Sequence, residues 1–153
     1  MIINFEVFTL SSEESLKDFY TQLLAAICVS LEEIVGPGSK ALLYASGKKY
    51  GEKATENVEK TSDLNEAIKK ILEVFHDIWE VELKNDNQVI FRKCPIRELC
   101  EKMGIERGEK GTILCHYVDG IFAGALSGIL NKSVEIKLIK SAPAACIKNI
   151  LVK

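Results

Sequence analysis

The sequence predicts an α+β fold, a single domain over residues 1–153 in which helices pack on a small antiparallel β-sheet. Three observations predict it. In the N-terminal half, apolar residues recur at three- and four-residue steps, the period of amphipathic helices. Two later stretches alternate apolar and polar residues on either side of turn-forming residues, the signal of a β-hairpin. Between those hairpins, Asp119 is the only formal charge from Gly111 to Leu130, and a helix that is apolar all round belongs inside a core. No internal repeat, low-complexity tract or linker divides the chain.

Taken in order, Ile2 to Leu10 alternates weakly and is a candidate short strand. Ser11 and Ser12 precede Glu13 and Glu14, an N-cap followed by acids that complement the helix dipole. Leu16, Phe19, Tyr20, Leu23, Leu24, Ile27, Leu31 and Ile34 then form one helical stripe, ended by Gly36-Pro37-Gly38. A second helix is predicted from Ser39 to Val58, passing Gly47 and Gly51 on nearly one face. Small residues four apart admit something close, a second helix or a ligand, and helix packing is the commoner use. Thr61-Ser62-Asp63 caps a third helix with Leu64, Ala67, Ile68, Ile71, Leu72 and Phe75 on one face.

Trp79 to Leu83 and Val89 to Phe91 flank the turn Asn85-Asp86-Asn87, the first hairpin. Pro95 suits the first position of a short helix that carries Leu99 and Cys100 and closes near Gly104. The charge-poor segment carries Gly120, Gly124 and Gly128 at four-residue steps, beside Ala123, Ala125 and Ser127. The stripe is like that of paired membrane helices, but its polar flanks point to tight packing in a water-soluble core. Ser133–Ile139 and Cys146–Val152 alternate about Ser141-Ala142-Pro143 and make the second hairpin.

Composition removes several functional classes. Twenty Lys and Arg against 22 Asp and Glu leave a net charge of -2, so no basic excess holds a nucleic-acid backbone and no direct nucleic-acid partner is expected. No apolar run is expected to be long enough to span a bilayer, and MIINFEVFTL lacks the basic region and cleavage site of a signal peptide. The expectation is a soluble, cytoplasmic chain. There is no Walker loop, no GxGxxG after a strand, no GxSxG and no HExxH, which leaves phosphate, dinucleotide, hydrolase and zinc-protease chemistry unsupported.

Five cysteines, none in a CxxC pair, read as reduced thiols that serve as core residues, metal ligands or reactive groups. Cys28, among Ala25, Ala26 and Ile27, reads as a small apolar core residue. Cys94, Cys100, Cys115 and Cys146 are spread over a strand end, a short helix, a helix start and the last strand. Zinc asks for about four ligands in tetrahedral array, and dispersed spacing leaves open whether these thiols meet or stay free. His76 sits at a helix end beside Asp77, with no partner in the pattern to make it a general base. His116 adjoins Cys115 just ahead of the glycine stripe.

The run Cys115-His116-Tyr117-Val118-Asp119-Gly120-Ile121-Phe122-Ala123-Gly124-Ala125-Leu126 resembles the signature of the 4-vinyl reductase-type, hydrocarbon-binding domain family. There a cysteine, an aromatic and a GxxxG helix precede a closing hairpin that ends in cysteine. The order agrees: Cys94-Pro95 at a strand end, Cys115 before the glycine helix, the Val134–Leu138 strand, then Cys146. Leu42-Leu43-Tyr44-Ala45-Ser46-Gly47, followed by Gly51, resembles that family's tyrosine and glycine helix, so the likeness covers most of the chain. It implies the α+β fold of the transport-particle subunits of the Golgi, commonly a homodimer, with an apolar pocket among its helices. In zinc-containing members, which include sensor domains of phenol-responsive activators, the closing hairpin supplies a glutamate, a cysteine three residues later and a final cysteine. Counting back from Cys146 puts Glu135 in the acid position and Leu138 in place of the middle cysteine. A shorter turn puts Ser141 there and loses the glutamate. Either way one thiolate is missing.

The resemblance thus implies a binding module, a sensor or carrier for an apolar small molecule, with no catalytic residue assigned. The expected ligand walls are Tyr44, Gly47, Gly51, Tyr117, Ile121, Phe122 and Ala125 on the two glycine-bearing helices, with Tyr44 or Tyr117 as the polar anchor. The expected metal is zinc on Cys94, Cys115 and Cys146, with His116, Cys100 or Glu135 completing the shell. The alternatives are a reductase of a tetrapyrrole vinyl group, for which the sequence shows no dinucleotide fingerprint and no Fe–S cysteine run, and a scaffold subunit of an assembly. A homodimer is also expected because the first helix carries a broader apolar stripe than one small sheet covers.

Overall fold

The helical periods and the two alternations become five helices and four strands. The computed structural model describes residues 13–105, 108 and 111–153, with the side chains of 13–15, 25 and 28 excepted. The expected strand Ile2–Leu10, the cap at Ser11 and Ser12 and the surroundings of Cys28 lie outside the described residues.

Helix α1 (Glu13–Val35) stops where Gly36 turns to φ 62°, its N–H donating to Glu32 O (3.0 Å). Helix α2 (Gly38–Ala54) is shorter than its pattern, because Thr55 leaves helical geometry while its hydroxyl donates back to Gly51 O (2.9 Å). Asp63 caps α3 (Leu64–Val74) by accepting from the N–H of Glu66 (2.7 Å). Strands β1 (Glu80–Asn85) and β2 (Gln88–Lys93) form the first hairpin, and Pro95 opens α4 (Pro95–Met103), which Gly104 closes at φ 63°. Helix α5 (Ile113–Leu130) precedes the second hairpin, β3 (Val134–Ser141) and β4 (Cys146–Val152).

The four strands make one sheet in the order β1-β2-β4-β3, every neighbouring pair antiparallel. Strand β4 is therefore interior, with Phe91 opposite Cys146 and Val89 opposite Lys148. The period of two sends Val89, Phe91, Val134, Ile136, Cys146, Lys148 and Ile150 inward, where all are buried. On β3, Ile136 N–H donates to Tyr44 Oη (3.1 Å) and Val134 N–H to Ser127 Oγ (3.0 Å), so helix side chains satisfy part of an otherwise open sheet edge.

Helix α5 is the centre of the molecule, packed against α2, α3 and β3. Its 18 residues have a mean hydropathy of 1.6, which meets the length and composition of a membrane span and corrects the expectation that no run does so. Its apolarity has a nearer cause: 78% of the helix is buried within the fold. The glycines explain how α2 comes so close. A Cβ at Gly47 would overlap Tyr117 O, and one at Gly51 would overlap Ile121 O. In return, a Cβ at Gly120 would overlap Tyr44 O, and one at Gly124 would overlap Lys48 O. The two helices meet backbone to backbone, leaving no room for a side chain at any of these four positions.

On its other side α5 places Phe122 in an aromatic cluster. Phe122 stands 5.1 Å from Phe91 and 5.9 Å from Trp79, and Trp79 stands 4.9 Å from Phe75. The steep interplanar angles of 71° and 77° at Phe122 give the edge-to-face contacts that aromatic rings favour.

Candidate functional site

The alternation that buries β4 also carries a lysine into the core. Lys148 is fully buried and ion-paired with Asp119, the lone charge of α5. Such residues stay inside only when paired. The ammonium also lies 4.1 Å from the centre of the Phe91 ring, a cation–π contact. Burial alone disfavours the ammonium, but the charge and hydrogen bond of Asp119 outweigh it and hold Lys148 above the usual lysine range.

Three cysteines lie near this pair. Cys146 is two residues before Lys148 on the same face of β4, and Cys115 is one helical turn before Asp119. Cys115, in the first turn of α5, accepts from the N–H of Thr112 at 3.4 Å. Cys94 precedes Pro95 as the N-cap of α4; burial pushes its thiol up, against the opposing pull of Lys148 and the N–H groups of Ile96 and Arg97. Cys146 goes the other way. Burial alone raises it, but hydrogen bonds with Ser141 and Arg97 and the charges of Lys148 and Arg97 hold it below the usual thiol value.

Arg97 knits this corner together. Its Nη1 donates to Arg92 O (2.5 Å) and Ala144 O (3.1 Å), and its Nη2 to Phe91 O (3.1 Å) and Cys146 Sγ (3.5 Å). The guanidinium thereby ties the start of α4 to the end of β2 and to the turn of the second hairpin.

These residues do not fit a zinc ion. Among the described residues, no group of three or more His, Cys, Asp or Glu side chains is placed to hold a metal, so Cys94, Cys115 and Cys146 do not close into a ligand set. Two buried cations, Lys148 and Arg97, stand among them. Of the residues expected to complete the shell, Cys100 is buried in α4 and Glu135 is engaged elsewhere. Glu135 is exposed and paired with Lys153 (2.7 Å). His116 is half-buried, and burial pushes its imidazole below the ordinary range. Leu138, one of the two positions at which the resemblance implies a missing thiolate, sits with Cys115 around Gly111, where a Cβ would come 3.0 Å from Leu138 Cδ2 and 2.9 Å from Cys115 Sγ.

The expected ligand walls are distributed by the same packing. Gly47 and Gly51 face the backbone of Tyr117, Ile121 and Ala125 across the α2–α5 seam and border no cavity, because that backbone fills the space. Tyr44 is committed to the sheet edge through Ile136, and burial raises its phenol. Burial raises Tyr117 as well. Phe122 alone of the seven turns into the aromatic cluster.

Trp79 is the residue that sequence reasoning passed over. It is the only tryptophan, 93% buried, and its indole Nε1 is buried with no hydrogen-bond partner. A buried donor left unpaired costs about 1–3 kcal/mol. Its sequence signal was faint: the single large amphipathic ring at the start of the first alternating stretch.

No family model and no curated protein matches the sequence. Solved structures do. A vinyl-4-reductase family protein from Methanocaldococcus jannaschii is similar with a TM-score of 0.53 at 14% identity, over 97% of this chain and 85% of that one. The phenol-responsive sensory domain of the transcription activator PoxR, solved with phenol, is similar with a TM-score of 0.52 at 12% identity, over 85% of this chain and 73% of that one. At these identities the likeness is one of fold: the chain shares with both an α+β arrangement of helices on an antiparallel sheet.

Proposed function

We propose that this protein is a small-molecule-binding module, a sensor or carrier for an apolar ligand with one polar acceptor, with no chemistry of its own. The unpaired indole N–H of Trp79 inside the cluster of Phe75, Phe91 and Phe122 carries the reading. Apolar sites obtain affinity from burial and orientation from a few polar groups, and this position offers three aromatic rings and one free donor. The fold likeness to a sensory domain solved with phenol supports the same ligand class. A ring of phenylalanine size removes about 150–250 Å² from water. At about 25 cal/mol per Å² that gives ~4–6 kcal/mol, a Kd between roughly millimolar and tens of micromolar.

Leu16, Phe19, Tyr20, Leu23, Leu24 and Ile27 are each about half exposed along α1, and an open depression runs past Leu16, Tyr20 and Leu24. A second copy covering this stripe removes it from water, and an isologous helix pair is the commonest way to do so.

Because Trp79 is the only tryptophan, its fluorescence reports directly on the proposed position. Titration with phenol and with alkylphenols is expected to change the emission saturably. Trp79→Phe keeps the ring and removes the donor, and calorimetry is expected to show affinity weaker by about tenfold, the worth of one hydrogen bond. No saturable change with any of these phenols, or equal affinity in the variant, refutes the site.

A further inference from the structure

We infer that the ammonium of Lys148, locked to Asp119, stands in for a metal ion in this protein: it supplies the positive charge among Cys94, Cys115 and Cys146 and keeps zinc out. The inference rests on placement. Lys148 and Cys146 are alternate residues on the inward face of β4, about 7 Å apart along the strand. Asp119 and Cys115 are four apart on α5, about 5–6 Å between Cβ atoms. The ion pair that joins β4 to α5 therefore bridges the two elements that carry those thiols.

Lys148 has no way out of this position. Strand β4 is flanked by β2 and β3, the ammonium is paired with Asp119, and the Phe91 ring lies against it. A zinc ion at this corner meets the ammonium and the Arg97 guanidinium, which already donates to Cys146 Sγ (3.5 Å). It also loses Asp119 as a ligand, because that carboxylate is spent on Lys148. The chain places a cation where the pattern of β4, Cys146, Lys148, Ile150, calls for an apolar residue, and has Leu138 or Ser141, neither of them a thiol, at the two positions where the resemblance implies a further thiolate. Both departures act in the same direction. A metal site needs unpaired anions that converge, and here the anion is already neutralised from within.

The test uses zinc itself. The reduced full chain is incubated with excess zinc, desalted and analysed for metal, and apparent affinity is measured by competition with a colorimetric chelator. The expected result is below about 0.1 zinc per chain in the wild type, far from the stoichiometric binding of a structural site. Removing the charge in Lys148→Met is expected to tighten zinc binding by at least about tenfold. Lys148→Met leaves Asp119 buried without a partner, so the neutral pair Lys148→Met/Asp119→Leu, whose fold is checked by circular dichroism, is measured beside it with the same expected direction. Near one zinc per wild-type chain, lost in Cys115→Ser, overturns the inference. So does a folded neutral-pair variant whose zinc affinity equals that of the wild type.

Discussion

Lys148 illustrates how one side chain acquires a role that its own segment does not advertise. In β4 it occupies an inward position, and the ion pair with Asp119 makes that tolerable. Asp119→Asn is expected to destabilise the protein by about 3–5 kcal/mol, because it leaves a buried cation unpaired. The neutral pair Lys148→Met/Asp119→Leu is expected to recover most of that loss in urea unfolding. The pH dependence has a definite sign. The folded value of Lys148 is raised above its unfolded value near 10.5, so its contribution is fully present below that pH and is lost as pH rises through the folded value. Chemical unfolding at pH 8, 10 and 11 is expected to show a fall at the alkaline end that is smaller in the neutral pair. Tyr44 makes the same point with a neutral group. Tyr44→Phe removes the acceptor of a buried N–H on Ile136 and is expected to cost about 1–3 kcal/mol.

At the scale of elements, the glycines of α2 and α5 act as one feature. The stripe at Gly47, Gly51, Gly120 and Gly124 was visible in the sequence, and its use for close helix packing was the commoner of the two readings. What spacing did not reveal is that the carbonyl of each helix enters the space left by the other. Gly51→Ala is expected to destabilise by about 1–3 kcal/mol or more, since the obstructing atoms are backbone and cannot rotate away. Gly38→Ala is the control. Its Cβ would meet only Val35 Cγ1 at an ordinary 3.6 Å, and a Gly→Ala change at a compatible position stabilises by about 0.4–1 kcal/mol. Urea midpoints of the two variants are expected to move in opposite directions. The same packing explains why the ligand-wall reading of Gly47 and Gly51 found no space there, while Phe122, on the opposite side of α5, reached the aromatic cluster.

For the whole molecule, α1 is the element least accounted for by its own chain. Phe19, Tyr20, Leu23, Leu24 and Ile27 remain about half exposed, although their spacing is that of a core-facing stripe. A dimer through this face is expected, and light scattering at micromolar concentration checks it. Leu24→Glu is expected to shift the mass to that of a monomer without unfolding the rest, since α1 makes few contacts with the other elements.

The elements themselves were legible from local pattern. Helical stripes, caps such as Asp63, the first-turn Pro95 and the alternation of the two hairpins depend on residues within a few positions of one another, and the structure keeps nearly all of these boundaries. Helix α2 ended early, at Thr55, which leaves helical geometry as the C-cap while its N–H and hydroxyl both donate to Gly51 O. The partnerships were of another kind. Lys148 meets Asp119 across 29 positions, Arg97 meets Cys146 across 49 and Tyr44 meets Ile136 across 92. No period encodes such meetings. They follow from the strand order β1-β2-β4-β3 and from the close approach of α2 to α5, because burying the apolar faces against one another decides which polar groups are carried inside and must then find each other.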